Sequence, residues 1–169
     1  MGIIEIEKLP DFIAALQKEY TIYGPVKDEN GEVALTEVNT GEDITLDFVN
    51  FKLSPKSLFF PQCEVLGTLS RNGIKETPQP EEKFVAFAVR PCDADAIKSI
   101  NRIFEDETTG YIDPSFAARR QNGVLIALAC NEPCTTCFCT SVGSGPSSEK
   151  GADILMTRLD NTLLFKACS

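Results

Sequence analysis

Apolar and polar positions change rhythm about halfway along the chain. Residues 3–8 alternate apolar and acidic side chains, the period of a half-buried strand or of a lead into a helix. Pro10-Asp11 predicts a helix start, with Phe12, Ile13, Leu16 and Tyr20 on one face. Tyr20–Val26 and Val33–Val38 flank the polar stretch Lys27–Glu32, whose Asn30-Gly31 pair is a hairpin signal. Ser54 and Pro55 predict a helix within 54–66, ended or kinked at Pro61, which lacks a backbone donor. Residues 71–83 carry Gly73, Pro78, Pro80 and several charges, the composition of a surface loop.

The second half reads differently. Phe84–Val89 is an unbroken apolar run, fitting a strand buried on both faces of a mostly parallel sheet. Asp93 is placed to cap a helix over Ala94–Phe104, with Ala96, Ile97, Ile100 and Phe104 inward. Asp113-Pro114 opens a short helix through Arg120, and a second apolar run, Val124–Ala129, follows Gly123. Asp153–Leu159 and Leu163–Lys166 are two further strands joined at Asp160-Asn161-Thr162. The fold class is α/β (or α+β): a small mixed sheet with buried strands near 84–89, 124–129 and 153–159. Residues 1–50 read as an α+β scaffold segment and 51–169 as an α/β cysteine-rich part, together one compact domain.

Composition narrows the chemistry. Among 169 residues, 16 Lys+Arg against 25 Asp+Glu leave a net charge of −9, which argues against a nucleic-acid partner. Seven cysteines accompany no histidine, so histidine-based catalysis and His-ligated zinc are excluded. The first residues, Met1–Lys8, lack the basic start of a signal peptide, and no apolar run nears the ~18 residues of a membrane helix. The expectation is a cytoplasmic protein with no membrane partner. There, cysteines point to metal or redox chemistry before disulfides.

Position sharpens that inference. Cys92 follows the first buried strand and Cys130 the second; if the strands are parallel neighbours, both thiols reach the same carboxyl edge, where open α/β sheets place ligands. Cys130, Cys134, Cys137 and Cys139 then crowd one loop as C-x3-C-x2-C-x-C. Thiols this dense in a loop with Pro133, Asn131 and two threonines are not core packing. Three readings stay open: one cubane iron–sulfur cluster, a structural zinc, or a redox dithiol at Cys134-x-x-Cys137. Phe138 is placed to shield such a centre, and Gly143-Ser144-Gly145-Pro146 lets backbone N–H groups approach sulfur. Arg90, Arg119 and Arg120 are candidates to offset an anionic centre, with surface ion pairing the simpler role for Arg120.

Val89–Ile97, then Tyr111-Ile112-Asp113 with Arg119-Arg120, then Cys130 and the run Cys137–Pro146 form an ordered set, with Leu53–Gln62 upstream. It resembles the amino-terminal half of the iron–sulfur beta subunits of cytoplasmic nickel–iron sulfhydrogenases, and the A subunit of anaerobic sulfite reductase is similar. The C-F-C-x-S-x-G-x-G-P string is the specific part. The resemblance implies an electron-transfer component of an anaerobic oxidoreductase complex, with no bond chemistry on a substrate. Its implied partners are a flavin-containing NAD(P)H-linked subunit and a catalytic metal subunit. It implies one [4Fe–4S] cluster on Cys92, Cys130, Cys137 and Cys139, with Cys134 the alternate ligand and zinc the alternative metal. Cys63 is expected to be a packed thiol. Family members continue into a ferredoxin-like part with C-x2-C-x2-C-x3-C-P runs, and this sequence holds none. The resemblance therefore implies the front half of a longer subunit, or a shortened member.

Overall fold

Six consecutive apolar side chains at Phe84–Val89 have no face to offer water, and every one of them is buried. A computed structural model, describing residues 1–106 and 108–168, sets this strand inside a seven-stranded mixed sheet. In chain order the elements are β1 (Gly2–Glu5), α1 (Leu9–Leu16), β2 (Thr21–Lys27), β3 (Val33–Glu37), β4 (Gly67–Ser70), β5 (Gly73–Glu76) and β6 (Phe84–Val89). There follow α2 (Pro91–Phe104), β7 (Glu105–Asp106), β8 (Tyr111–Ile112), α3 (Pro114–Asn122), β9 (Gly123–Leu128), β10 (Ile154–Leu159) and β11 (Thr162–Ala167). The sheet order is β1-β11-β10-β9-β6-β2-β3. Its centre, β10, β9, β6 and β2, is parallel, and β3, β11 and β1 add antiparallel margins. The mixed α/β fold expected from the sequence is the fold observed.

Alternation divides the core into two layers. Phe84, Ala86 and Val89 pack with Ala94 and Ile97 of α2 and Phe116 of α3. Val85, Phe87 and Ala88 pack on the opposite face with Leu9 and Ile13 of α1. One irregularity interrupts β6: Phe87 pairs with Ile126 and Val89 with Ala127, leaving Ala88 as an extra residue. Ala88 has φ +57°, a left-handed conformation that costs an alanine side chain energy.

Several local expectations change. The helix within 54–66 is only a four-residue 3-10 turn, Pro55–Leu58, because two prolines six residues apart leave too short a run for sustained helical bonds. The loop at 71–83 is in part a hairpin, β4–β5, turning at Arg71-Asn72. Asn72-Gly73 is the same kind of signal as Asn30-Gly31, and Gly73 takes φ +115°. Helix α2 starts earlier than expected: Arg90 stands at its N-cap and Pro91 opens it, while Asp93 lies in the first turn. Ala94, not Ala96, is its buried alanine. Asp113 caps α3 as expected, accepting from the Phe116 amide at 2.8 Å. Tyr20 lies past the end of α1, its amide donating to the Leu16 carbonyl.

Candidate metal centre

Because β6 and β9 run parallel, their carboxyl ends open at the same edge. Cys92 lies in the first turn of α2 just beyond β6, and Cys130 lies two residues beyond β9. The Cys130 amide donates to the Pro146 carbonyl at 2.8 Å, which closes the loop 130–146 on itself. Within the loop the Cys137 amide donates to the Cys134 carbonyl, and a 3-10 turn, Cys139–Val142, ends at Gly143 with φ +72°. Beside Cys139, whose carbonyl accepts from the Ser144 amide, the Ser144 hydroxyl is buried without a hydrogen-bond partner.

The four expected ligands are electrostatic neighbours. Burial pushes the Cys92 thiol up to about 11, helped by Asp93 and Cys130. Burial also raises Cys130; Arg90 opposes that rise, and Cys137 and Cys139 add to it. Asp93, buried beside them, is raised to about 6. Among the described residues no three Cys, Asp or Glu side chains close together as ligands of a single ion would.

Cys134 and Cys137 form a separate close pair, their sulfurs 3.3 Å apart. The Thr136 hydroxyl stands 3.1 Å from Cys134 Sγ, and Asn50 Nδ2 donates to the same sulfur at 3.1 Å. Hydrogen bonds from Thr136, then Cys137, with Asn50 adding to them, bring the Cys134 thiol down to about 7. The Cys134 amide bonds Cys137 Sγ and lowers that thiol. Its hydrogen bond with Cys134, desolvation and the neighbouring sulfurs outweigh this, so Cys137 stands above the ordinary value.

One cation belongs to this edge. Arg90 is buried, 5% exposed, with Nε donating to the Val49 carbonyl at 3.0 Å and its guanidinium 3.9 Å from the centre of the Phe48 ring. Its charge faces Cys130, Cys92 and Asp93. Arg119 and Arg120 are engaged elsewhere: Arg119 binds Glu64 at 2.6 Å, and Arg120 binds Asp153 at 3.0 Å. Phe138 is 68% exposed and covers nothing, which corrects its expected shielding role. Cys63 is exposed, not packed; Cys168, bonded through its amide to Asp153, lies by the opposite edge, where β10 begins.

The contribution from Phe48, Val49 and Asn50 was missed by sequence reasoning, which treated residues 1–50 as scaffold. No local motif marks them; they reach the thiols only because the chain after β3 crosses the sheet edge.

Five thiols, one buried cation and a strap from the first half make a soft-donor centre on an α/β sheet. That is the class of the iron–sulfur beta subunits, and the comparisons agree with the motifs: the chain is a relative of the sulfhydrogenase beta subunits. It is 29% identical over 163 residues to sulfhydrogenase 2 subunit beta of Pyrococcus furiosus. The similarity covers 96% of this chain and 47% of that protein, so the chain spans about half the length of the curated relative it matches. No family model matches the chain. No solved structure matches it either. Among the described residues no helix is long and apolar enough to cross a membrane.

Proposed function

We propose that this chain is the cluster-bearing electron-transfer part of an oxidoreductase complex of the hydrogenase or sulfite-reductase type. It relays electrons between a flavin-containing NAD(P)H-linked subunit and a catalytic metal subunit, and works in the cytoplasm under anaerobic conditions. The observation that carries the reading is the gathering of Cys92, Cys130, Cys137 and Cys139 around buried Arg90 at one sheet edge. Similarity to a sulfhydrogenase beta subunit supports it independently.

The donor set fits an iron–sulfur centre. Thiolates are the preferred ligands of such clusters, and an all-thiolate cluster is anionic, so it suits a site with a buried guanidinium. Ser144 supplies a spare donor beside Cys139. When bound, a [4Fe–4S] cluster accepts and passes on one electron at a time. The chain's own residues do the rest. Cys92 and Cys130 hold the sheet side, and Cys137 and Cys139 hold the loop side. Arg90 supplies positive charge, and Asn50 holds Cys134 apart as the alternate ligand. Because Cys92 and Cys130 are protonated at neutral pH without metal, loading the centre releases protons.

Anaerobically purified protein should be brown, with about four iron and four sulfide per chain. Cys139→Ser should abolish both, whereas Cys134→Ser should leave them largely intact. Colourless protein carrying one zinc overturns the reading in favour of a zinc-stapled docking module.

The short Cys134–Cys137 contact and the low pKa of Cys134 favour one second reading, a dithiol that gives up two electrons and two protons to form a disulfide. A helix head, the usual device for lowering such a thiol, is not what lowers this one: only a four-residue 3-10 turn follows. Loss of one disulfide's worth of thiol on mild oxidation of the iron-free protein, with reversible redox activity, would support it.

A further inference from the structure

We propose that Arg90 sets the electron affinity of the thiol-bound centre, and that the bulge at Ala88 is what aims it there. This rests on the cluster reading above. Side chains alternate faces along a strand, so a regular β6 would carry Ala88 with Ala86, and Arg90 with them, onto the face covered by α2 and α3. Val89 instead joins Phe84 and Ala86 on that face, and Ala88 joins Val85 and Phe87 on the other. The extra residue therefore exchanges the faces for everything that follows. Arg90 falls on the side of the strap, where the Phe48 ring and the Val49 carbonyl fix its guanidinium against the thiols.

Ala88 keeps this bulge in a left-handed conformation that glycine would adopt more easily, at the strand end that leads directly into the centre. The second observation is electrostatic. Arg119, Arg120 and Arg158 each form an ion pair with a carboxylate, at 2.6, 3.0 and 2.5 Å. Arg90, the most buried of these, forms none among the described residues, and the one carboxyl facing it, Asp93, is held toward its neutral form by burial. A buried cation needs compensation, and the sulfurs of Cys92 and Cys130 are the remaining groups that face it. Reduction adds one negative charge to whatever those sulfurs hold. A fixed cation beside it favours the reduced form, so removing that cation lowers the reduction potential.

The test compares wild-type, Arg90→Gln and Arg90→Lys proteins, each loaded anaerobically and titrated spectroscopically against potential, with iron and sulfide measured on the same samples. Arg90→Gln should shift the oxidised-to-reduced ratio about tenfold toward oxidised, a potential about 59 mV lower for a one-electron couple. Arg90→Lys should restore most of the wild-type value, because it keeps the charge. A fully loaded Arg90→Gln protein with wild-type potential overturns the proposal, as does an Arg90→Lys protein shifted as far as Arg90→Gln. If Arg90→Gln does not load, Phe48→Leu replaces it: the cation is retained but unpinned, and a smaller shift in the same direction is expected. A loaded Phe48→Leu protein at the wild-type potential overturns the proposal. Wild-type protein without iron and sulfide defeats the cluster reading itself, which is a different result from a cluster whose potential ignores Arg90.

Discussion

Cys92 and Cys134 serve the same sheet edge yet hold their protons very differently. Burial removes water from Cys92 and disfavours its thiolate, raising it to about 11. Thr136, Cys137 and Asn50 give Cys134 hydrogen bonds that favour its thiolate, lowering it to about 7. The thiolate is the reactive form, so a lower pKa means reaction at lower pH. In metal-free protein, Cys134 should reach half its limiting alkylation rate near pH 7, while Cys92 should still be slow at pH 9. Mass spectrometry of pH-stepped alkylation checks the order. The cysteine spacing already marked these residues as chemically active. It did not say which thiol would be ionised, because that depends on Asn50, 84 residues away in sequence.

At the scale of elements, local chemistry and tertiary support can be separated. Asp113 caps α3 through a single side-chain bond to the Phe116 amide, so Asp113→Ala should cost about 1 kcal/mol in urea unfolding. The β4–β5 hairpin is the opposite case. Leu69 and Ile74 face each other across it, yet both are largely exposed, so Leu69→Ser should change stability by no more than about 0.5 kcal/mol. Helix α3 was legible because Asp113-Pro114 is a local start signal, and the buried strands were legible because apolar runs of six are rare outside a sheet centre. The hairpin was hidden by Pro78, Pro80 and the surrounding charges, although Asn72-Gly73 carried its turn. The bulge at Ala88 had no signal: alanine in an apolar strand reads as ordinary packing. Its consequence is large, since one added residue changes the face on which Arg90 lies.

For the whole molecule, the two core layers and the thiol edge are largely independent. Both layers are built from aliphatic and aromatic side chains of the sheet and helices, and none of the five thiols at the carboxyl edge is among their buried members. Removing iron and sulfide under chelator and oxidant should therefore leave the far-UV circular dichroism of the sheet in place while the 130–146 loop loses protection from proteolysis. Collapse of the whole spectrum would show instead that the centre staples the fold, as structural zinc does in small domains.

The sequence by itself determined the class of fold, the positions of the central strands and the crowding of thiols after two of them. These follow from short-range facts: runs, caps, turn residues and spacing. Absence of histidine likewise settled which chemistries were closed. Only the tertiary structure decided that Arg90, and not Arg119 or Arg120, is the cation beside the sulfurs, since the other two have carboxylates to bind. It alone brought Phe48, Val49 and Asn50 to the centre. Partners distant in sequence are chosen by sheet order and by which face a side chain leaves. At β6 that face was set by a single extra residue.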